Sequence, residues 1–274
     1  MVQKIRVGAL ISGGGTNLQA IIDAARGGKM DADIVFVGSD NPDAYGLQRA
    51  RNGEIPTFVV DYRQAIRSFR ENRGGVQLPV DFRLDEIRAK QALWPRSTDP
   101  GKVDAFLEGR AVAESMLLNA IRPYPFDLLV LAGFMRNLTP YFIDRVNVER
   151  SQPRIMNIHP ALLPAFPGTD GYGDTFRYGC KVAGCTVHFV DYGEDSGPII
   201  GQRAFPIRED DTLDTVRRRG LEQEWQLYPE CIQLFAEGRL QTVRTTHELP
   251  GGKIFERTVV KVLPKGLPHE RECP

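Results

Sequence analysis

The stretch from Ile5 to Asn17 sets the tightest limit on the fold. An apolar run, Ile5 to Ile11, meets Ser12-Gly13-Gly14-Gly15-Thr16-Asn17 and passes into a helical pattern, Leu18 to Ala25, with Ala20, Ile21 and Ala24 on one face. Strand, glycine turn and helix in that order open a parallel crossover unit. The rhythm continues, with strands expected at Ile34 to Val37 and Thr57 to Val60 around a helix over Ala44 to Arg51. Further on, a helix over Arg110 to Ile121 precedes strands at Asp127 to Ala132, Arg154 to Ile158, Cys185 to Val190 and Ile199 to Phe205. The prediction is an α/β fold, a mostly parallel twisted sheet flanked by helices. Thr212 to Glu237 reads as a long helical stretch interrupted near Gly220 and Pro229.

Two segments depart from this rhythm. From Tyr62 to Leu107 the chain is rich in arginine and punctuated by Gly74-Gly75, Pro79, Pro95 and Pro100. It reads as an insertion at about 62–107, a surface excursion carrying one helix near Phe82 to Leu93. The division expected is one α/β domain over 1–240 and a tail over 241–274, with a hairpin around Pro250-Gly251-Gly252.

Composition narrows the classes of partner. Lysine plus arginine equals aspartate plus glutamate at 35 each, so a polyanion such as nucleic acid is not the expected partner. Cys180, Cys185, Cys231 and Cys273 form no CxxC pair, and the histidines offer no metal-ligand spacing, so neither a disulfide framework nor a metal is expected. No apolar segment is long enough for a membrane span and no leader precedes the first strand, which predicts a cytoplasmic protein acting on small molecules. A homodimer is left open.

Asn157-Ile158-His159-Pro160 carries the chemistry. Residues two apart on a strand face the same side, so Asn157 and His159 point together at the end of a short strand. An amide can donate to a developing oxyanion while an imidazole exchanges the proton. Asp195, in Glu194-Asp195-Ser196-Gly197-Pro198, follows another apolar strand; a carboxylate there can orient the imidazole or hold its cationic form. The glycine turn is the second constellation: backbone N–H groups at a helix N-terminus seat a phosphate. Neither the dinucleotide fingerprint nor the Walker loop fits, because Leu18 replaces the last glycine of the first and no Gly-Lys-Ser/Thr follows for the second. A phosphate monoester is the better match.

Ile11 to Ile21, Leu131-Ala132-Gly133-Phe134-Met135-Arg136, Asn157 to Gly168, and Thr186 to Val190 before Asp195 together resemble the phosphoribosylglycinamide formyltransferases. The resemblance covers most of residues 4–240 apart from the excursion, and it implies a formyltransferase-like Rossmann variant. It implies that Asn157, His159 and Asp195 are catalytic, and that Gly15, Thr16, Asn17 and Glu224 bind the ribonucleotide. It further implies that Arg110, Met135, Arg136, Asn137 and Leu138 bind folate, with 10-formyltetrahydrofolate as co-substrate and no metal. Thr169 to Phe176 departs from the family, which commonly carries a histidine-containing stretch there. Methionyl-tRNA formyltransferase and formyltetrahydrofolate hydrolase share the Asn-x-His and distant aspartate. A non-catalytic folate or nucleotide sensor is the alternative from another class.

Overall fold

The computed structural model describes residues 4–72, 75–149 and 152–266; Gly74, Cys273 and the end of the tail lie outside the described residues. In chain order β1 (Ile5–Ile11), α1 (Thr16–Arg26), β2 (Ala32–Ser39), α2 (Tyr45–Asn52) and β3 (Thr57–Val59) alternate. After them come α3 (Tyr62–Glu71), α4 (Leu84–Lys90), α5 (Pro100–Ile121), β4 (Leu128–Leu131), α6 (Pro140–Val146), β5 (Ile155–His159) and α7 (Gly171–Arg177). β6 (Val182–Phe189), β7 (Ile199–Pro206), α8 (Leu213–Ala236), β8 (Leu240–Leu249) and β9 (Lys253–Val262) complete the described chain.

Seven strands form one sheet in the order β3-β2-β1-β4-β5-β6-β7. The first five run parallel; β6 pairs antiparallel with β5, and β7 antiparallel with β6. Strand order reverses at β1, because β2 lies on one side of it and β4 on the other. In such a sheet a crevice opens beyond the C-terminal ends of the strands at the reversal. The β1–α1 turn and the end of β5 both lie there, which is why residues far apart in sequence meet.

Each face of the sheet buries its own core. Leu18, Ile21, Leu47, Leu227, Tyr228 and Ile232 cover one face from α1, α2 and α8. Ala113, Leu117, Phe142 and Ile143 cover the other from α5 and α6, joined by Tyr62 and Ala65 of α3. Strands buried on both sides read as nearly unbroken apolar runs, as β4 does with all four residues buried. The Tyr228 hydroxyl, deep in this core, donates to the Met156 carbonyl at 2.8 Å.

Several expectations are corrected. The 62–107 segment holds two helices and the first part of a third, rather than one. Asp61 accepts from Gln64 N and caps α3; Asp99 accepts from Lys102 N and, with Pro100 in the first turn, starts α5 ten residues before Arg110. The arginine-rich surface hid the apolar stripe Tyr62, Ala65 and Phe69. Helices α6 and α7 were not foreseen. Helix α8 is uninterrupted, since packing on β6, β7 and α1 outweighs the cost of Gly220 and Pro229. A Cβ at Gly220 would stand 2.1 Å from the Tyr172 ring, so the glycine makes room for that ring.

Beyond α8, β8 and β9 pair antiparallel around Gly251 and Gly252, both at positive φ (86° and 75°). No described helix is long and apolar enough to cross a membrane.

Candidate active site

Strand β5 carries Asn157 and His159, and its antiparallel neighbour β6 sets His188 directly opposite Asn157. Asn157 Nδ2 lies 3.2 Å from His188 Nε2, while His188 Nδ1 lies 2.9 Å from the Phe189 carbonyl. A carbonyl only accepts, so His188 donates from Nδ1 and accepts the Asn157 amide at Nε2. That fixes which way the carboxamide faces and leaves its second N–H for another acceptor.

His159 is buried, with Nδ1 3.1 Å from Asp195 Oδ2 and Nε2 2.8 Å from the Phe166 carbonyl. Both partners are acceptors. A neutral imidazole satisfies one of them; the imidazolium satisfies both.

Asp195 sits at φ 49°, in the left-handed region that aspartate tolerates better than most residues. Burial alone would push its carboxyl up, but His188, the charge of His159 and the Gly168 N–H bring it below the ordinary carboxylate value. Geometry ranks those three: His159 at 3.1 Å and Gly168 N at 2.9 Å are in bonding range, and His188 at 3.7 Å is too far for a full hydrogen bond. One carboxylate thus holds the histidine and ties down the loop after Pro167.

A second cleft adjoins this one. It is lined by the glycine turn, Asp170 to Tyr172, Arg217 and Glu224, and it shares Gly133, Met135, Ile158, Pro160 and Thr169 with the first. Both oxygens of Glu224 are held, Oε2 by Asn17 Nδ2 at 2.6 Å and Oε1 by the Tyr172 hydroxyl at 2.8 Å. Burial raises the Glu224 carboxyl, and those two hydrogen bonds oppose the rise. Asn17 Oδ1, also buried, has no hydrogen-bond partner among the described residues.

Gly15 precedes α1 at φ 69°, and a Cβ on it would lie 2.7 Å from Gly46 Cα. No side chain caps this helix, so its first N–H groups face the cleft without a built-in acceptor. Gly15→Ala is expected to cost about 1–3 kcal/mol from backbone strain alone. Denaturant unfolding reads that loss directly, and an unchanged midpoint would remove the requirement for glycine.

The family whose description is formyl transferase matches residues 5–232. The chain belongs to the formyl transferase family. It is 36% identical to the phosphoribosylglycinamide formyltransferase of Haemophilus influenzae, over 86% of this chain and 89% of that protein. It is 31% identical to the Escherichia coli phosphoribosylglycinamide formyltransferase, over 89% of this chain and 93% of that one. Among solved structures, glycinamide ribonucleotide transformylase 1 from Symbiobacterium toebii superposes with a TM-score of 0.68 at 36% identity, covering 96% of each chain.

In this formyl transferase the segment after β4 forms one wall of the first cleft. Met135 is 67% exposed, and its N–H donates to Ser12 Oγ at 2.8 Å, tying the wall to the glycine turn. Arg136 turns its guanidinium to the buried Asp40 at 2.5 Å. Asn137 donates to Glu194 at 3.2 Å, and Leu138 packs into the core. Arg110, placed with these residues by resemblance, is not among those lining the cleft. Its guanidinium lies over the rings of Tyr62 and Phe106 at 5.5 and 5.1 Å, and Nη1 has no partner among the described residues. Burial pulls its pKa down, with nearby Glu114 opposing.

Two site residues escaped the sequence reading. His188 lies within Thr186 to Val190, and strand alternation from Thr186 puts it on the Asn157 face only once β5 and β6 are paired. Tyr172 was read as loop, because a seven-residue helix containing Gly171 and Gly173 has no readable period.

Proposed function

We propose that this formyl transferase moves the formyl group of 10-formyltetrahydrofolate to the amine of phosphoribosylglycinamide, the reaction named for its relatives and belonging to purine biosynthesis. The observation carrying this reading is the joining of the two clefts. One holds an amide, an imidazole and a carboxylate; the other offers helix N–H groups for a phosphate; they meet at Ile158 and Pro160.

In this assignment the ribonucleotide's phosphate rests on Gly15, Thr16 and Asn17, and Glu224 contacts the same substrate. The formyl donor lies along Met135 to Leu138, with Arg110 behind that wall. The neutral amine attacks the formyl carbon, forming a carbon–nitrogen bond as the carbonyl oxygen becomes anionic. The free N–H of Asn157 stabilises that oxygen. The bond from formyl carbon to folate nitrogen then breaks. The proton leaving the attacking nitrogen passes to the folate nitrogen, through His159 or a water it orients. Asp195 holds the His159 ring in place. Atoms balance without a metal or a redox partner.

The test is steady-state transfer with both substrates. Formylated ribonucleotide forming in step with tetrahydrofolate release supports the assignment. Folate deformylation without an acceptor would instead assign a hydrolase, and ligand binding without turnover a sensor.

A further inference from the structure

The sequence left the excursion and the tail without a role, and the structure brings both to one place. The loop Asp191 to Gly197, which carries Asp195, is gripped from two sides. On the first side, Ala92 just after α4 forms an isolated parallel bridge to Gly193, its N–H donating to the Tyr192 carbonyl at 2.9 Å. Lys90 of α4 reaches Asp144 of α6 at 2.7 Å, and the Tyr192 hydroxyl donates to the other oxygen of that carboxylate. On the second side, Arg257 of β9 donates to the Ser196 carbonyl at 2.8 Å. Inside the loop, Asp191 accepts from Gly193 N at 3.1 Å and from Ser196 Oγ at 2.6 Å.

We propose that the excursion and the C-terminal hairpin form a two-sided clamp on the Asp191–Gly197 loop, with Lys90, Tyr192 and Arg257 as positioning residues that hold Asp195 against His159. The proposal rests on the functional reading above. The physical need is plain. A non-glycine residue held at φ 49° sits in a sparsely populated backbone region and persists only where its surroundings over-determine it. From the body of the fold, His159 and the Gly168 N–H bond Asp195 itself, and Asn137 reaches the neighbouring Glu194 at 3.2 Å; the excursion and the hairpin hold the rest of the loop. A two-stranded hairpin is marginal by itself in water, so its docking through Arg257 orders both partners.

The clamp acts on chemistry through Asp195. The titratable groups facing that carboxylate are His159 from β5 and His188 from β6, and the Gly168 N–H completes its partners; in its own loop Asp191 is turned to Gly193 and Ser196, and Glu194 to Asn137. Asp195 lies below the ordinary carboxylate value only while these contacts are kept. Loosening the loop returns it upward, so the acidic limb of the rate profile moves to higher pH. A purely structural strap would change unfolding and leave that limb in place.

The experiment uses the full chain carrying Lys90→Met and Arg257→Gln together, with folding checked by circular dichroism. Formyl transfer is followed across pH with both substrates. The expected result is kcat lower by about tenfold, an unchanged KM for the ribonucleotide, and an acidic limb displaced upward. Native kcat with an unmoved limb in the folded variant would overturn the clamp. Should the double variant fail to fold, Tyr192→Phe removes a single hydroxyl; it is expected to move the limb the same way, and an unmoved limb there overturns the proposal equally. Wild-type protein that transfers no formyl group would defeat the functional reading, whereas active wild type with unaffected variants defeats the clamp alone.

Discussion

Replacing His159 by alanine is expected to lower kcat by about 10²–10⁴-fold, the range for a positioned proton-transfer group. The reasoning starts from the two acceptors on its ring, the Asp195 carboxylate and the Phe166 carbonyl. Together they hold the buried ring in one orientation, so the proton it exchanges is positioned rather than searched for. Alanine removes the group that exchanges the proton. Because that exchange belongs to the transition state, the loss falls on kcat more than on KM. Steady-state kinetics with both substrates decides it, with circular dichroism to verify the fold. Turnover equal to wild type would take His159 out of the reaction.

The second large effect is expected from Asp195→Asn, also about 10²–10⁴-fold in kcat, because the amide no longer orients the His159 ring as the carboxylate does. The direction with pH follows from the carboxyl lying below its ordinary value. A depressed carboxylate adds stability above the unfolded pKa, and that contribution disappears as pH falls through the folded one. In the wild type, both the His159 pairing and its share of folding stability are therefore lost on the acid side of about pH 4. The asparagine variant should lack that acid-side loss while remaining slow at neutral pH. An activity profile and unfolding curves from acid to neutral pH check both; an acid limb identical to wild type would assign the limb to another group.

Much of the fold was legible because period and punctuation agree in the sequence. Ile5 to Ile11 followed by three glycines could be only a strand and a turn, and the later apolar runs repeated the unit. Legibility failed where the signal was physically weak. Helix α3 exposes arginines on most of its surface, α7 is too short to show a period, and α8 retains Gly220 because a tyrosine ring from α7 needs that space. Asn157 and His159 were readable as a pair because alternation along one strand guarantees a shared side. Gly15 and Asn17 were readable as a turn opening a helix, because three glycines end an apolar strand there.

The sequence by itself determined the alternating architecture, the side-by-side amide and imidazole, and the glycine turn into α1, since each depends on residues within a few positions of one another. Tertiary structure alone decided that His188 faces Asn157, that Tyr172 and Asn17 share Glu224, that Arg110 is tucked behind the wall, and that excursion and hairpin converge on Asp195. These depend on strand order and on helices crossing the sheet, so the groups that meet are separated by tens to hundreds of residues, as Asn17 and Glu224 are by 207. Local pattern fixes which way a side chain leaves its own strand or helix; only packing fixes what it finds there.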